Sequence, residues 1–281
     1  MAHAGSHGRS QGDSPQGAAE PLSKARLRAA LSDQGTLWTD IRVVPETGST
    51  NEDALKQAVD GAREGLVIAA DFQSAGRGRQ GRRWLTRPGA ALTFSVLLRP
   101  QPVPHAARGW LPLLAGVAVT AGLRQVTGVD ARLKWPNDVL AGGGKLAGIL
   151  AEQSGDAIVV GVGVNVLGGE HDLPVATATS LERCGADRVD RTALLAAILA
   201  ELGQRYLRWR EIGPGDAAES GLRREYRALS DTLGRQVRVL LPGDRELAGL
   251  AVDVDPMGQL LVSTPAGEMA AVSAGDVIHV R

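Results

Sequence analysis

The strongest constraint on this chain's fold is a change of rhythm near residues 230–234. Beyond it, β-forming runs at 236–241, 246–254, 259–263, 268–272 and 277–280 follow one another with no room for a helix. They are separated by Pro242-Gly243-Asp244, Asp255-Pro256-Met257-Gly258, Pro265-Ala266-Gly267 and Ala274-Gly275-Asp276. Proline presets φ and glycine accepts positive φ, so each separator reads as a tight turn. Short strands so joined predict a small β-barrel. The preceding stretch lacks this rhythm. The 281 residues therefore divide into one sizeable domain, 22–230, and one small domain, 231–281.

Residues 1–21 are rich in Gly, Ser, His, Gln and Ala without periodicity and read as a disordered tail. Ser23 reads as the N-cap of a short helix carrying Leu27 and Leu31. Strand signals at 41–44, 66–70, 92–98 and 158–166 are interleaved with helix signals at 51–59, 110–126 and 191–210. Leu133 and Trp135 share a face at period two within 132–140. Glycines 142–144 then turn the chain and 145–152 returns, which predicts a hairpin. The order lacks a strict βαβ repeat, so it predicts an α+β domain around a mixed or antiparallel sheet.

Lys plus Arg and Asp plus Glu each number 31, a formal net charge of zero. A general nucleic-acid binder carries a large positive excess, so only a local basic site fits. The single cysteine, Cys184, excludes an internal disulfide framework and a cysteine zinc site. It fits a reducing compartment. The longest apolar run, 111–123, contains Pro112 and is shorter than the roughly 18 residues that a membrane span needs. No apolar secretory core stands at the start. The expectation is a cytoplasmic protein without a membrane segment. His105, His171 and His279 lack metal spacing, and Cys184, Trp110 and Trp209 read as packing residues.

Three segments carry chemistry. In Ala75-Gly76-Arg77-Gly78-Arg79-Gln80-Gly81-Arg82-Arg83-Trp84, glycines let the backbone wrap a ligand and point amides inward at an anion. The arginines offer forked donors for phosphate or carboxylate, and Trp84 can stack on a base. The same composition equally fits a solvated basic loop. It lacks the lysine of a Walker A loop. In Lys134-Trp135-Pro136-Asn137-Asp138-Val139, followed by Gly144-Lys145-Leu146-Ala147-Gly148-Ile149-Leu150, Pro-Asn-Asp is also an ordinary turn. Lys145 opens an apolar strand after a flexible turn, a placement that aims one cation into a pocket, although hairpin lysines usually face solvent. In Glu46-Thr47-Gly48-Ser49-Thr50-Asn51, hydroxyls and an amide at a helix start suit a polar ring, or simply cap the helix.

Together, in this order, the motifs resemble those of the biotin–protein ligase family. The resemblance runs over 43–152, continues through Gly161-Val162-Gly163-Val164-Asn165, and includes the C-terminal barrel. It implies a class II synthetase-like catalytic domain with a mixed sheet, followed by an SH3-like barrel. It further implies ATP-dependent activation of biotin as biotinyl-5'-AMP, with Mg²⁺, and transfer to a lysine of a biotin carboxyl carrier protein.

By the same resemblance, Ser49, Thr50, Asn51 and Gln73 meet the ureido ring, and Gly76, Arg77, Gly78 and Arg79 close over biotin and phosphate. Arg82 and Trp84 lie with the nucleotide, and Lys145 holds the biotin carboxylate and α-phosphate. Asn137 and Asp138 lie near the phosphates, Asp138 toward Mg²⁺, while Gly148, Gly161, Gly163 and Asn165 line the adenylate site. Lys145, Arg77 and Arg79 are the catalytic candidates, and the Gly-Arg loop is expected to act as a mobile lid. Only about 20 ordered residues precede the strand at Ile41, too few for the winged helix-turn-helix of some relatives, so sequence-specific DNA binding is not expected. The chain is read as a monomer or weak homodimer. Two other readings stay open: a lipoate or octanoate ligase-like acyl transferase, and a nucleic-acid-binding module built on the arginine loop.

Overall fold

The computed structural model describes residues 20–32, 37–169, 173, 175, 177–186, 188–212 and 221–280. The expected tail over 1–21 lies outside the described residues except for its last two. Seven strands form the larger sheet: β1 (Asp40–Thr47), β2 (Leu66–Gln73), β3 (Ala91–Leu98), β4 (Arg132–Lys134), β5 (Asp138–Ala141), β6 (Gly144–Ser154) and β7 (Ala157–Asn165). Their spatial order is β1-β2-β3-β7-β6-β5-β4. β1 and β2 are parallel and the remaining pairs antiparallel, so the sheet is mixed as expected.

Strand alternation sorts residues onto two faces. One face of β7 presents Val160, Val162 and Val164, all buried in the main core with Val67, Ala69 and Phe94. Against it pack α1 (Lys24–Leu31), α3 (Trp110–Thr127) and α4 (Arg191–Ile212). By length and composition His105–Thr127 could cross a membrane, but most of it is buried inside the protein against α4 and the sheet. The opposite face carries one helix, α2 (Thr50–Val59). Ala54 and Ala58 of this helix cover Leu66, Ile68, Leu97 and Val159. Past Val159 the same face continues as Gly161, Gly163 and Asn165, where only Asn51, in the first turn of α2, reaches over Gly161.

Two expected boundaries are corrected. The strand over 132–140 is broken into β4 and β5. Pro136 has no N–H for a ladder, and Trp135-Pro136-Asn137 turns the chain instead. β1 runs beyond residue 44 through Pro45 to Thr47, which an edge strand tolerates because its outer side needs no donor. A short helix, α5 (Leu222–Leu229), was not anticipated.

The second sheet has the order β11-β10-β9-β8-β12. Its strands are β8 (Gln236–Leu241), β9 (Arg245–Val254), β10 (Leu260–Ser263), β11 (Met269–Val272) and β12 (Asp276–His279). All five expected runs are present, joined antiparallel around Val237, Val239, Ala251, Val262 and Val277. Two tryptophans lock this barrel to the larger domain. Trp135 Nε1–H donates to Gly258 O at 3.1 Å, and Trp110 Nε1–H to Pro256 O at 3.0 Å. Tyr226 of α5 meets Trp110 edge-on at 6.1 Å. Trp110 and Trp209 are buried, as expected of packing residues.

His279 sits at this junction. Thr232 Oγ1 accepts from Trp135 N at 3.1 Å and lies 3.2 Å from His279 Nε2. Burial lowers the His279 pKa, Lys134 and Arg235 add to that, and Asp231 opposes it. A base with a depressed folded pKa takes up a proton more readily when unfolded, so its contribution stands above the unfolded pKa of about 6.5 and fades as pH falls through the folded one. Stability should therefore drop between pH 7 and pH 5, and His279→Gln should flatten that part of the profile. Thermal melts of both proteins across this range test it; parallel profiles would contradict the assignment.

Candidate active site

This glycine-bearing stretch of the sheet is the floor of a cavity of about 620 Å³. Register explains the floor. Gly148 pairs with Gly163 and Leu150 with Gly161, while Ser95 of β3 pairs with Gly161 from the other side. The glycines leave room for ring groups. A Cβ on Gly161 would lie 2.0 Å from Asn51 Oδ1. One on Gly163 would lie 2.5 Å from Trp84 Cε2, and one on Gly148 3.2 Å from Trp84 Cζ3. Trp84 thus rests on the two-glycine shelf, and its Nε1–H is buried without a partner among the described residues.

At one end, the start of α2 meets β2, β3 and β6. Ser49 precedes the helix but makes no side-chain cap, so the capping alternative does not hold for it, and it lines the cavity. Gln73 Oε1 accepts from Thr50 N at 2.7 Å and from Thr50 Oγ1 at 3.0 Å, which leaves the Gln73 amide NH₂ for a ligand. Ser95 Oγ lies 2.7 Å from Thr50 Oγ1 and 2.6 Å from Asn51 Oδ1. Asn51 Nδ2 donates to Leu150 O at 3.2 Å and to Glu152 Oε2 at 2.8 Å. Both Asn51 amide protons and its oxygen are engaged inside the protein, so Asn51 braces neighbouring elements while it lines the cavity.

The Gly-Arg loop is folded across the cavity, with a 3₁₀ turn at Arg79–Gly81 and a bridge between Arg77 and Arg83. Its arginines diverge. Arg77 Nη2 donates to Glu152 Oε1 at 2.9 Å and Arg77 Nη1 lies 3.4 Å from Glu52, on the Asn51 side. Arg79 Nη1 donates to Asn137 Oδ1 at 2.9 Å, and Asn137 is itself held by Ile149 O. Arg79 Nη2 donates to Gly275 O at 3.2 Å, and Asp276 lies 3.6 Å from Arg79 and 2.6 Å from Arg82. Burial pulls the Arg79 pKa below the usual guanidinium range.

Lys145 Nζ lies 2.6 Å from Asp138 Oδ1, an ion pair within the cavity. Backbone bonds to Thr177 O and from Thr179 N flank Lys145, and Asn165 Nδ2 holds Thr179 O at 2.9 Å. Every expected site residue except Gly76 lines the cavity; Gly76 stands behind the wall, packed on the Trp84 carbonyl. Lys134 and Asp276 also line it, and neither was singled out. Lys134 makes no ion pair with another described residue. Among the described residues no cluster of three His, Cys, Asp or Glu could hold a metal by itself.

Comparison with known proteins now bears on this geometry. The profile of the Biotin/lipoate A/B protein ligase family matches residues 42–166, and that of the Biotin protein ligase C terminal domain matches 232–280. The biotin–[acetyl-CoA-carboxylase] ligase of Mycobacterium tuberculosis is 44% identical, over 93% of this chain and 97% of its own length. The chain belongs to the biotin protein ligase family. The bifunctional ligase/repressor BirA of Bacillus subtilis is 33% identical over 88% of this chain and 76% of its own length. Among solved structures, the biotin protein ligase of Aquifex aeolicus in complex with biotin and ATP superposes with a TM-score of 0.73 at 28% identity, covering 87% of this chain and 100% of its own. The family fold accounts for both sheets, and the cavity lies where the two matched regions meet, since Asp276 belongs to the second and Lys145 to the first.

Within this biotin protein ligase fold, Gly161→Ala drives a methyl into Asn51, which is held by three bonds and has nowhere to go. Such overpacking costs about 1–3 kcal/mol. The variant should lose that much stability in denaturant melts and bind its ring ligand weakly. A variant as stable as wild type, with unchanged ligand binding, would show that the floor yields.

Proposed function

We propose that this chain activates biotin with ATP as biotinyl-5'-AMP and passes the biotinyl group to a lysine of a carboxylase's biotin carboxyl carrier domain. The observation that carries the reading is one cavity with a neutral polar end and a cationic end. A ligand with an uncharged polar ring at one extremity and a carboxylate at the other fits that polarity. The match of the C-terminal region to a biotin protein ligase domain favours biotin over lipoate.

In this reading, Ser49 and the Gln73 amide meet the ring, and Thr50 and Asn51 hold them in place. Trp84 stacks on the adenine. A carboxylate oxygen attacks the α-phosphorus, the new O–P bond forms, the bond to the β-phosphate bridging oxygen breaks, and pyrophosphate leaves. Two anions must meet for this, so positioned cations stabilise the charge at the transferring group. Lys145 and Arg79 do so directly. Arg77, engaged by two glutamates, closes the ring end. The carrier lysine amine then attacks the acyl carbon, the C–O bond breaks, AMP leaves and the amine sheds a proton. Asp138, a cavity carboxylate paired with Lys145, would be the single carboxylate for Mg²⁺, which usually binds through one or two carboxylates plus substrate phosphates. When bound there, Mg²⁺ neutralises phosphate charge.

The reaction needs neither a disulfide nor a membrane, in keeping with a cytoplasmic enzyme, and it needs no second copy of the chain. Nothing in it engages DNA. ATP–pyrophosphate exchange should depend on biotin and be indifferent to lipoate; exchange with lipoate alone would refute the assignment.

Two further outcomes are expected. Lys145→Ala should slow exchange about a hundredfold or more while shifting stability by no more than about 1 kcal/mol, since its ion pair is partly exposed. Near-normal exchange would remove Lys145 from the mechanism. Limited proteolysis within 76–84 should slow when biotin and ATP are added together, and equal cleavage in both states would remove the lid.

A further inference from the structure

Glu152 is absent from the cavity lining, yet its two carboxylate oxygens hold two elements that build the site. Oε2 accepts from Asn51 of α2 at 2.8 Å and Oε1 accepts from Arg77 of the Gly-Arg loop at 2.9 Å. We propose that Glu152 is a positioning residue that couples recognition of the ring to closure of the loop; this rests on the ligase reading above.

The coupling follows from proton accounting. An amide has two N–H donors. Asn51 gives one to Leu150 O and the other to Glu152, while its oxygen faces Ser95 Oγ. Ser95 also touches Thr50, and Thr50 holds Gln73. The orientation of the Gln73 amide thus rests on a chain of contacts that ends at Glu152. On the other side, the alternative partner of Arg77 is Glu52, at 3.4 Å with 60% of its side chain exposed. Glu152 is nearer, at 2.9 Å, and only 21% exposed, so screening weakens it less. Glu152 therefore sets where Arg77 sits. A carboxylate here also keeps Arg77 neutralised at the ring end, away from the phosphates, which leaves that work to Arg79 and Lys145.

The two oxygens separate the two roles. Glu152→Gln keeps an acceptor for Asn51 and loses the charge that holds Arg77. Glu152→Ala loses both. With the full-length protein, biotin binding is measured by calorimetry without nucleotide, and release of preformed adenylate into solution is measured after adding biotin and ATP. E152Q should bind biotin within about twofold of wild type and release adenylate several-fold faster. E152A should also weaken biotin binding about tenfold, the scale of one lost hydrogen bond to a charged group. In the Arg77→Ala background, E152Q should add no further release. In the Asn51→Ala background, E152A should add no further loss of biotin affinity.

Melting temperatures of the E152Q and E152A proteins, compared with wild type, identify misfolding. If E152A is misfolded, the E152Q and R77A pair decides alone. Fully additive effects in the Arg77 background, or wild-type retention and affinity in both Glu152 variants, overturn the coupling while leaving the ligase reading intact. A wild-type chain that binds no biotin overturns both.

Discussion

The site depends on a stretch of sheet that carries glycine where side chains would stand. The apolar side of α2 covers that face as far as Val159, and beyond it Gly148 of β6 and Gly161 and Gly163 of β7 leave room that Asn51 and Trp84 partly enter. Alternation makes this possible without weakening the core, because the intervening residues of β7, Val160, Val162 and Val164, face the other way into the main cluster. Three glycines that would be a packing defect in an ordinary sheet, Gly148, Gly161 and Gly163, thus become a floor. A ligand placed there lies against backbone, and the polar groups around it reach inward from the surrounding elements.

Electrostatics divides the cavity. Arg77, Arg79 and Arg82 and Lys145 each have a carboxylate close by: Glu152, Asp276 for the two middle arginines, and Asp138. A cation so matched is held in one place at little cost to stability, but an incoming phosphate must compete with the resident acid. The arrangement therefore favours a ligand that brings more negative charge than one carboxylate, which a triphosphate does and a lone carboxylic acid does not. Arg77 is held toward Glu152, whereas Arg79 is held toward Asn137 and Asp276.

Much of this was legible in the sequence because it is written in short range. Strand alternation, the turns of the barrel, the Gly-Arg loop and the Lys145 hairpin all lie within a few residues of their signals. What escaped depends on partners far along the chain. Asp276 looked like a turn residue, and its meaning comes from Arg79, nearly 200 positions away. Ser95 was hidden in a strand-forming run, and Glu152 read as the end of an apolar strand. Asn51 was singled out and lines the cavity, but only its partners Leu150, Glu152 and Ser95 reveal that it braces other residues. The break at Pro136 is a different kind of miss: the turn signature Pro136-Asn137-Asp138 was visible, and the period-two pair Leu133 and Trp135 outweighed it.

The grip of Asp276 on the loop has a mechanical corollary. β12 is four residues long and lies at the edge of its sheet, where fraying begins most easily. Its first residue is the hand that holds Arg79 and Arg82. Opening of that strand would slacken the loop while the seven-stranded sheet stayed intact, so the small domain acts on the large one as a clasp whose strength is that of its weakest strand.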